Sequence, residues 1–240
     1  MNLLIYDRQD DWVAAIVTCW IARLRANPHL RMCMTSGNTP LRAYAAMAKA
    51  VNEGQASFRE AEIFSLDEYG GLAVDDEGRC ANMIRKYLVD SVDLPKDKFH
   101  QLDPDIKDLD KMCQDYEAKI GNGFDLTILG IGLNGHLGLN EPGSTTDSLT
   151  RRAAMAESSI KSSVQYLKHN NLPTWGLTVG MSRLLGSKEV WLLSCGESKA
   201  SIIERVIKGE VSNDVPASWL KTHKNASLFM DAGSAKKLLS

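Results

Sequence analysis

One glycine-rich segment, residues 130–143, carries the side chains best suited to acid–base chemistry. It has the sequence GIGLNGHLGLNEPG and places His136 and Glu141 close together. Histidine changes its protonation near neutral pH, and a neighbouring carboxylate can orient it or share its proton. A lone histidine is usually structural, so a catalytic role for this pair depends on which other segments the fold brings beside it.

Residues 130–135 of that segment also match G-x-G-x-x-G, the pattern of a dinucleotide-binding turn. Such a turn has to open a helix. Gly138, Pro142 and Gly143 disfavour a helix directly downstream. We therefore interpret the segment as a loop that presents His136 and Glu141 to a ligand.

A second candidate for proton transfer is Asp67, which with Glu68 follows a predicted strand at residues 62–66. Adjacent acids at a strand end are most often a solvated turn. A carboxylate held at the mouth of a cleft can instead act as a general base.

Residues 35–40 have the features of an anion site. Small residues follow a predicted strand and precede a helix, with Thr39 predicted as its N-cap and Pro40 as its first residue. The segment lacks the Gly-Lys-Ser/Thr of a P-loop. Lys199, in a turn after another predicted strand, is either solvated surface or a second cation for a phosphate.

The elements that must position these residues alternate between short apolar runs and helical patterns, which predicts an α/β fold. The expected architecture is one domain spanning residues 1–240, an open, mostly parallel, Rossmann-like sheet with helices on both faces. A polar, weakly periodic stretch at residues 158–171 predicts a mobile flap within residues 151–172. Strands are predicted at residues 2–6, 31–35, 62–66, 125–129, 189–194 and 226–230, and helices at 8–26, 40–53, 79–90, 107–120, 197–208 and 216–222.

Composition restricts the partners. The 240 residues carry a formal charge of −2, so we expect no nucleic-acid partner. The longest apolar run, residues 12–22, is shorter than the roughly 20 residues that span a bilayer, so we expect no membrane association. The five cysteines are widely spaced and include no C-x-x-C, which favours reduced thiols and a cytoplasmic location.

Several motifs together resemble the glucosamine-6-phosphate deaminase/isomerase family over nearly the whole chain. The segments NGHLGLNEPG and VPASWL are most similar to its galactosamine-6-phosphate branch. The motifs are residues 35–40, LDEY at 66–69, GHLGLNEP at 135–142, LTVG at 177–180 and the turn at 196–199.

The resemblance implies ring opening, aldose–ketose isomerisation and release of ammonia from a hexosamine 6-phosphate, without metal or cofactor. Asp67 matches the base that takes the C2 proton, His136 the histidine that helps to open the ring, and Glu141 its acidic partner. Asn134 stands where the glucosamine enzymes carry an aspartate. The residues matching the phosphate site are Ser36, Gly37, Asn38, Thr39 and Lys199.

Two points follow from comparison with the family pattern. The arginine that some members supply to the phosphate from the flap has no clear match in residues 158–171. For assembly, we predict a homo-oligomer of this chain.

Two alternatives remain open at this stage. The 6-phosphogluconolactonases resemble this family and share a Gly-His loop, but they continue from the histidine into small residues and Ser-Leu-Phe-Pro, whereas this chain continues into LGLNEP. A sensor that binds a sugar phosphate without turnover has no need of a proton shuttle, so the joint presence of Asp67, His136 and Glu141 disfavours it.

Overall fold

A computed structural model of the protein describes residues 1–165, 167 and 171–239. Within these residues the largest sheet has seven parallel strands in the order β1-β10-β9-β6-β2-β3-β5. The strands are β1 (Asn2–Tyr6), β2 (Arg31–Met34), β3 (Glu62–Ser65), β4 (Asp67–Tyr69), β5 (Phe99–His100), β6 (Leu126–Gly130), β7 (Arg151–Ala154), β8 (Trp175–Thr178), β9 (Glu189–Ser194) and β10 (Ala226–Asp231).

Helices cover both faces of this sheet. Turns of 3₁₀ helix lie at Val89–Ser91, Lys96–Lys98, Glu197–Lys199 and Pro216–Thr222. The α-helices are α1 (Gln9–Ala26), α2 (Asn38–Asn52), α3 (Cys80–Tyr87), α4 (Leu109–Ile120), α5 (Glu157–Ser163), α6 (Met181–Leu185), α7 (Ala200–Lys208) and α8 (Ala232–Leu239).

Alternation along the strands divides the core into two layers. Trp191 and Phe229 pack with side chains of α1, α2 and α3 on one face, whereas Leu192 and Leu228 pack with those of α4, α6, α7 and α8 on the other. Successive side chains of a strand point to opposite faces, so strands apolar at every position are buried on both sides. The predicted α/β, Rossmann-like architecture is confirmed.

A smaller antiparallel sheet, in the order β4-β8-β7, was not predicted from the sequence. The chain passes from one sheet to the other at Leu66, whose N–H donates to Met34 and whose carbonyl accepts from Val179. Asp67 therefore begins β4 instead of following a strand in a turn. Its position next to the carboxyl end of β3 is what brings it to the edge of the large sheet.

The six predicted strands of the large sheet are all present, each within one residue of its predicted bounds. Three predicted helices contain 3₁₀ turns. The helix predicted at residues 79–90 is α-helical only as far as Tyr87 and is followed by the turn at Val89–Ser91, residues 197–199 form a turn before α7, and residues 216–222 are 3₁₀ throughout. The region predicted as a flap contains β7 and α5, and its residues 166 and 168–170 lie outside those described. Among the described residues, no helix is both long and apolar enough to cross a membrane.

Candidate active site

The carboxyl ends of β2, β3, β6 and β9 surround one pocket of about 270 Å³. Because β6 lies between β2 and β9, the glycine-rich loop after β6 is flanked by the loop before α2 and by the turn that carries Lys199. Ligands of open parallel sheets bind at this end of the strands. The predicted site residues that line the pocket are Ser36, Gly37, Asn38, Thr39, Asp67, His136 and Lys199.

One end of the pocket is formed by the start of α2. The helix begins at Asn38 and its N-cap is Gly37, so the predicted cap at Thr39 and first position at Pro40 are wrong. Gly37 has a φ of 90°, a conformation that favours glycine, and it turns the chain into the helix two residues earlier than predicted. The N–H groups of a first helical turn have no acceptor within the helix, so this end of the pocket suits an anion.

Lys199 adds a cation to the same pocket. Its Nζ donates a hydrogen bond to the carbonyl of Ile131 at 2.7 Å. Within the described part of the chain it has no carboxylate partner, and burial lowers the pKa of the Lys199 ammonium. An ammonium held only by a neutral carbonyl retains its charge for an incoming anion.

Asp67 lies at the opposite side of the pocket as a buried carboxyl, 7% exposed. Its Oδ1 has no hydrogen-bond partner among the described residues. Burial, and to a smaller extent the charge of Glu68, raise the pKa of Asp67 to about 7, against the opposing effect of a hydrogen bond from the thiol of Cys80. A carboxylate with this pKa is a stronger base than an exposed aspartate and can both take and return a proton near neutral pH.

Glu68, which the sequence did not single out, is almost completely buried on the other side of β4. It accepts hydrogen bonds from the backbone N–H groups of Tyr69 at 2.8 Å and of Cys80 and Ala81 at 2.9 Å each. Cys80 and Ala81 are in the first turn of α3, so Glu68 binds that helix terminus to β4. Burial raises the pKa of Glu68, and these three donors oppose the shift.

His136 and Glu141 form a pair at the back of the pocket. His136 Nδ1 lies 3.3 Å from Glu141 Oε2. Burial favours the neutral form of Glu141, but hydrogen bonds, that from His136 foremost, lower the pKa of Glu141 to about 2. The ionised carboxylate can only accept a hydrogen bond, so the contact with Glu141 is made by Nδ1–H, and Nε2 is the other ring nitrogen.

Asn134 and Glu141 lie behind His136 instead of lining the pocket. The Asn134 Nδ2 donates to Glu141 Oε2 at 2.8 Å, and its Oδ1 accepts from the backbone N–H of His136 at 3.2 Å. Asn134 therefore orders the loop and the carboxylate, and contacts the imidazole only through them.

Gly132 explains why the loop is rich in glycine. A Cβ built at this position would lie 2.2 Å from His136 Cε1, so any other residue would displace the imidazole. Residues 131–150, all of which are described, form turns and no helix. The segment is therefore a loop, as predicted, and does not open a helix as a dinucleotide-binding turn does.

Residues in α5 and directly beside it also contact site residues, which was not predicted from the sequence. Ser159 Oγ lies 3.0 Å from His136 Nδ1, and the N–H of Ala156 donates to Glu141 Oε1 at 3.1 Å. Gln165 accepts a hydrogen bond from Asn38 at 3.3 Å. In the sequence, the feature that pointed to this region was the polar stretch at residues 158–171, but it does not show which of its side chains contact the site.

Known proteins identify the family. The family model described as glucosamine-6-phosphate isomerases/6-phosphogluconolactonase matches residues 7–229. The chain belongs to this family. The glucosamine-6-phosphate deaminase of Bacillus pumilus (strain SAFR-032) is 33% identical over 244 residues, covering 98% of this chain and 100% of that protein. The predicted family is confirmed, and with it the prediction of an enzyme.

Two solved structures agree with this assignment. A monomeric glucosamine-6-phosphate deaminase superposes with a TM-score of 0.95 and 26% identity, covering 99% of this chain and 100% of that one. The 6-phosphogluconolactonase of Thermotoga maritima gives a TM-score of 0.75 at 21% identity, covering 96% and 100%. The second likeness shows that the two activities of the glucosamine-6-phosphate isomerase family share one fold.

Proposed function

We propose that this chain converts a hexosamine 6-phosphate and water into a ketohexose 6-phosphate and ammonia. The observation that carries the proposal is Asp67, a buried carboxyl that lines the same pocket as His136 and the anion-binding end, and whose Oδ1 has no partner among the described residues. The similarity to a glucosamine-6-phosphate deaminase, 33% identical over 98% of this chain, supports the same reaction.

One end of the pocket binds the substrate phosphate, and the other end transfers protons. The start of α2 and Lys199 bind the substrate phosphate, which fixes the position of the sugar. The Nε2 of His136 takes the proton of the anomeric hydroxyl and passes it to the ring oxygen as the C1–O5 bond breaks, which leaves an aldehyde at C1. Glu141 stabilises the imidazolium that forms in this step.

Asp67 then acts on the open chain. It removes the proton from C2, and the electron pair of that C–H bond forms a C1=C2 double bond while the C1=O pair moves onto O1. O1 takes a proton from the ammonium group of the substrate, which gives the enolamine. Return of a proton to C1 gives the C2 iminium. Water adds to C2, and the C–N bond breaks to release ammonia and leave the ketose.

The configuration of the sugar at C4 distinguishes galactosamine 6-phosphate from glucosamine 6-phosphate. The segments NGHLGLNEPG and VPASWL favour galactosamine 6-phosphate. The deaminase relatives are named for the glucosamine epimer. We propose galactosamine 6-phosphate as the preferred substrate. The formation of a homo-oligomer stays a prediction.

Ammonia release from both epimers, measured beside hydrolysis of 6-phosphogluconolactone, tests the proposal. We expect ammonia and ketose in equal amounts, faster turnover of galactosamine 6-phosphate, and no change on addition of EDTA. Equal kcat/KM for the two epimers would remove the substrate preference alone. Lactone hydrolysis without ammonia would establish the lactonase, and binding without either product would establish the sensor.

A further inference from the structure

The helix α5 contacts the His136–Glu141 pair from outside the glycine-rich loop. Its residue Ser159 is 4% exposed, and its hydroxyl lies 3.0 Å from His136 Nδ1. Nδ1 is the nitrogen that also faces Glu141, at 3.3 Å. Nε2 has no hydrogen-bond partner among the residues that the structure describes, and is thus left to the substrate.

We propose that Ser159 is a positioning residue for His136 in the reaction proposed above, on which this inference rests. Its hydroxyl oxygen accepts from Nδ1–H beside the Glu141 carboxylate and so restricts rotation of the imidazole. The hydroxyl hydrogen is directed to Glu141, whose carboxylate is stabilised by it. The two acceptors together keep the proton on Nδ1 and the lone pair of Nε2 in the pocket.

The attachment of α5 to this pair is not confined to one contact. The N–H of Ala156, the residue before the helix, donates to Glu141 Oε1 at 3.1 Å. Ser158 Oγ accepts from Asn134 Nδ2 at 3.2 Å. The start of α5 is therefore held at three points of the network, which places the Ser159 hydroxyl reproducibly against the ring.

The geometry excludes a nucleophilic role for Ser159. In a serine triad the hydroxyl bonds to one ring nitrogen and the acid to the other. Here the hydroxyl and the carboxylate both face Nδ1. The hydroxyl can therefore orient the imidazole, but it cannot lose its proton to the basic nitrogen Nε2.

The test compares Ser159→Ala with Ser163→Ala and Ser159→Thr. Ser163 is a matched control because it is buried in the same helix and, among the residues that the structure describes, its hydroxyl donates to the carbonyl of Ile160 alone, at 2.7 Å. Alanine is the best helix former, so α5 is expected to persist in both alanine variants. Ser159→Thr retains the hydroxyl and should restore most of the lost activity.

We expect Ser159→Ala to lower kcat for ammonia release about 10-fold and to change KM less than twofold. In ¹⁵N-labelled protein, the imidazole signals of His136 should change from a single Nδ1–H tautomer to a mixture. Ser163→Ala should retain the native kcat and the single tautomer. Native kcat and an unchanged tautomer in Ser159→Ala would overturn the inference.

The two proposals fail separately. If the native protein releases no ammonia, the proposed function is wrong, and the tautomer measurement still decides whether Ser159 positions His136. If the native protein is active and Ser159→Ala matches it in both measurements, only the role of Ser159 is lost.

Discussion

Asp67 and Glu68 are adjacent in β4 and have opposite environments. Asp67 lines the pocket, and its buried Oδ1 has no partner among the described residues, whereas Glu68 accepts three backbone N–H groups, two of them from the first turn of α3. Alternation along the strand sends the two side chains to opposite sides. One acid is thus used to fix β4, which leaves the other available as a base.

This arrangement predicts the pH dependence of catalysis. Burial raises the pKa of Asp67 from its ordinary value of 3.8 to about 7. Since the ionised form is the base, kcat/KM should rise with pH to a plateau, with half of the increase near pH 7. The ¹³C signal of the Asp67 carboxyl, assigned by its loss in Asp67→Asn, should titrate with the same midpoint. A midpoint below pH 5 would show that the site does not raise this pKa.

The same pKa predicts a stability effect. A carboxyl whose folded-state pKa is raised stabilises the fold below its unfolded pKa, and this contribution is lost as pH rises through about 7. Asp67→Asn should therefore have a larger free energy of unfolding than the native protein at pH 8.5, by roughly 1–4 kcal/mol. The difference should shrink towards pH 4. Urea titrations at both pH values measure it, and a native protein that is more stable than the variant at pH 8.5 would contradict the prediction.

Lys199→Ala tests the anion end of the pocket. In the proposed reaction the ammonium contacts the phosphate in both the ground state and the transition state, so KM for the hexosamine 6-phosphate should rise about 10-fold or more while kcat falls less. Lys188 is a suitable control because it is exposed and paired with Asp125 at 2.8 Å. Native kinetic constants in Lys199→Ala would show that Lys199 does not bind the phosphate.

The parallel sheet and the position of the site could be predicted from the sequence. Runs such as residues 189–194 are apolar because both of their faces are buried, and the loops that follow such strands meet at one edge. His136 was recognisable because glycines surround it. The reason for one of them, the close approach of Gly132 to the imidazole, required the three-dimensional structure.

The antiparallel sheet and the supporting contacts could not be predicted. β4 has only three residues, two of them acidic, and its partner β8 lies far along the chain. The donors to Glu68 are backbone N–H groups, which no side-chain pattern in the sequence records. Ser159 lies among similar serines of α5, and only the fold shows which hydroxyl reaches His136.

The central claim is that Asp67 removes the C2 proton. Asp67→Asn retains the size of the side chain but cannot accept that proton, so ammonia release should fall by about 100-fold or more. Exchange of the C2 proton with solvent deuterium should fall equally, while a non-reacting sugar phosphate should bind with native affinity. C2 exchange at the native rate in Asp67→Asn would show that another group is the base.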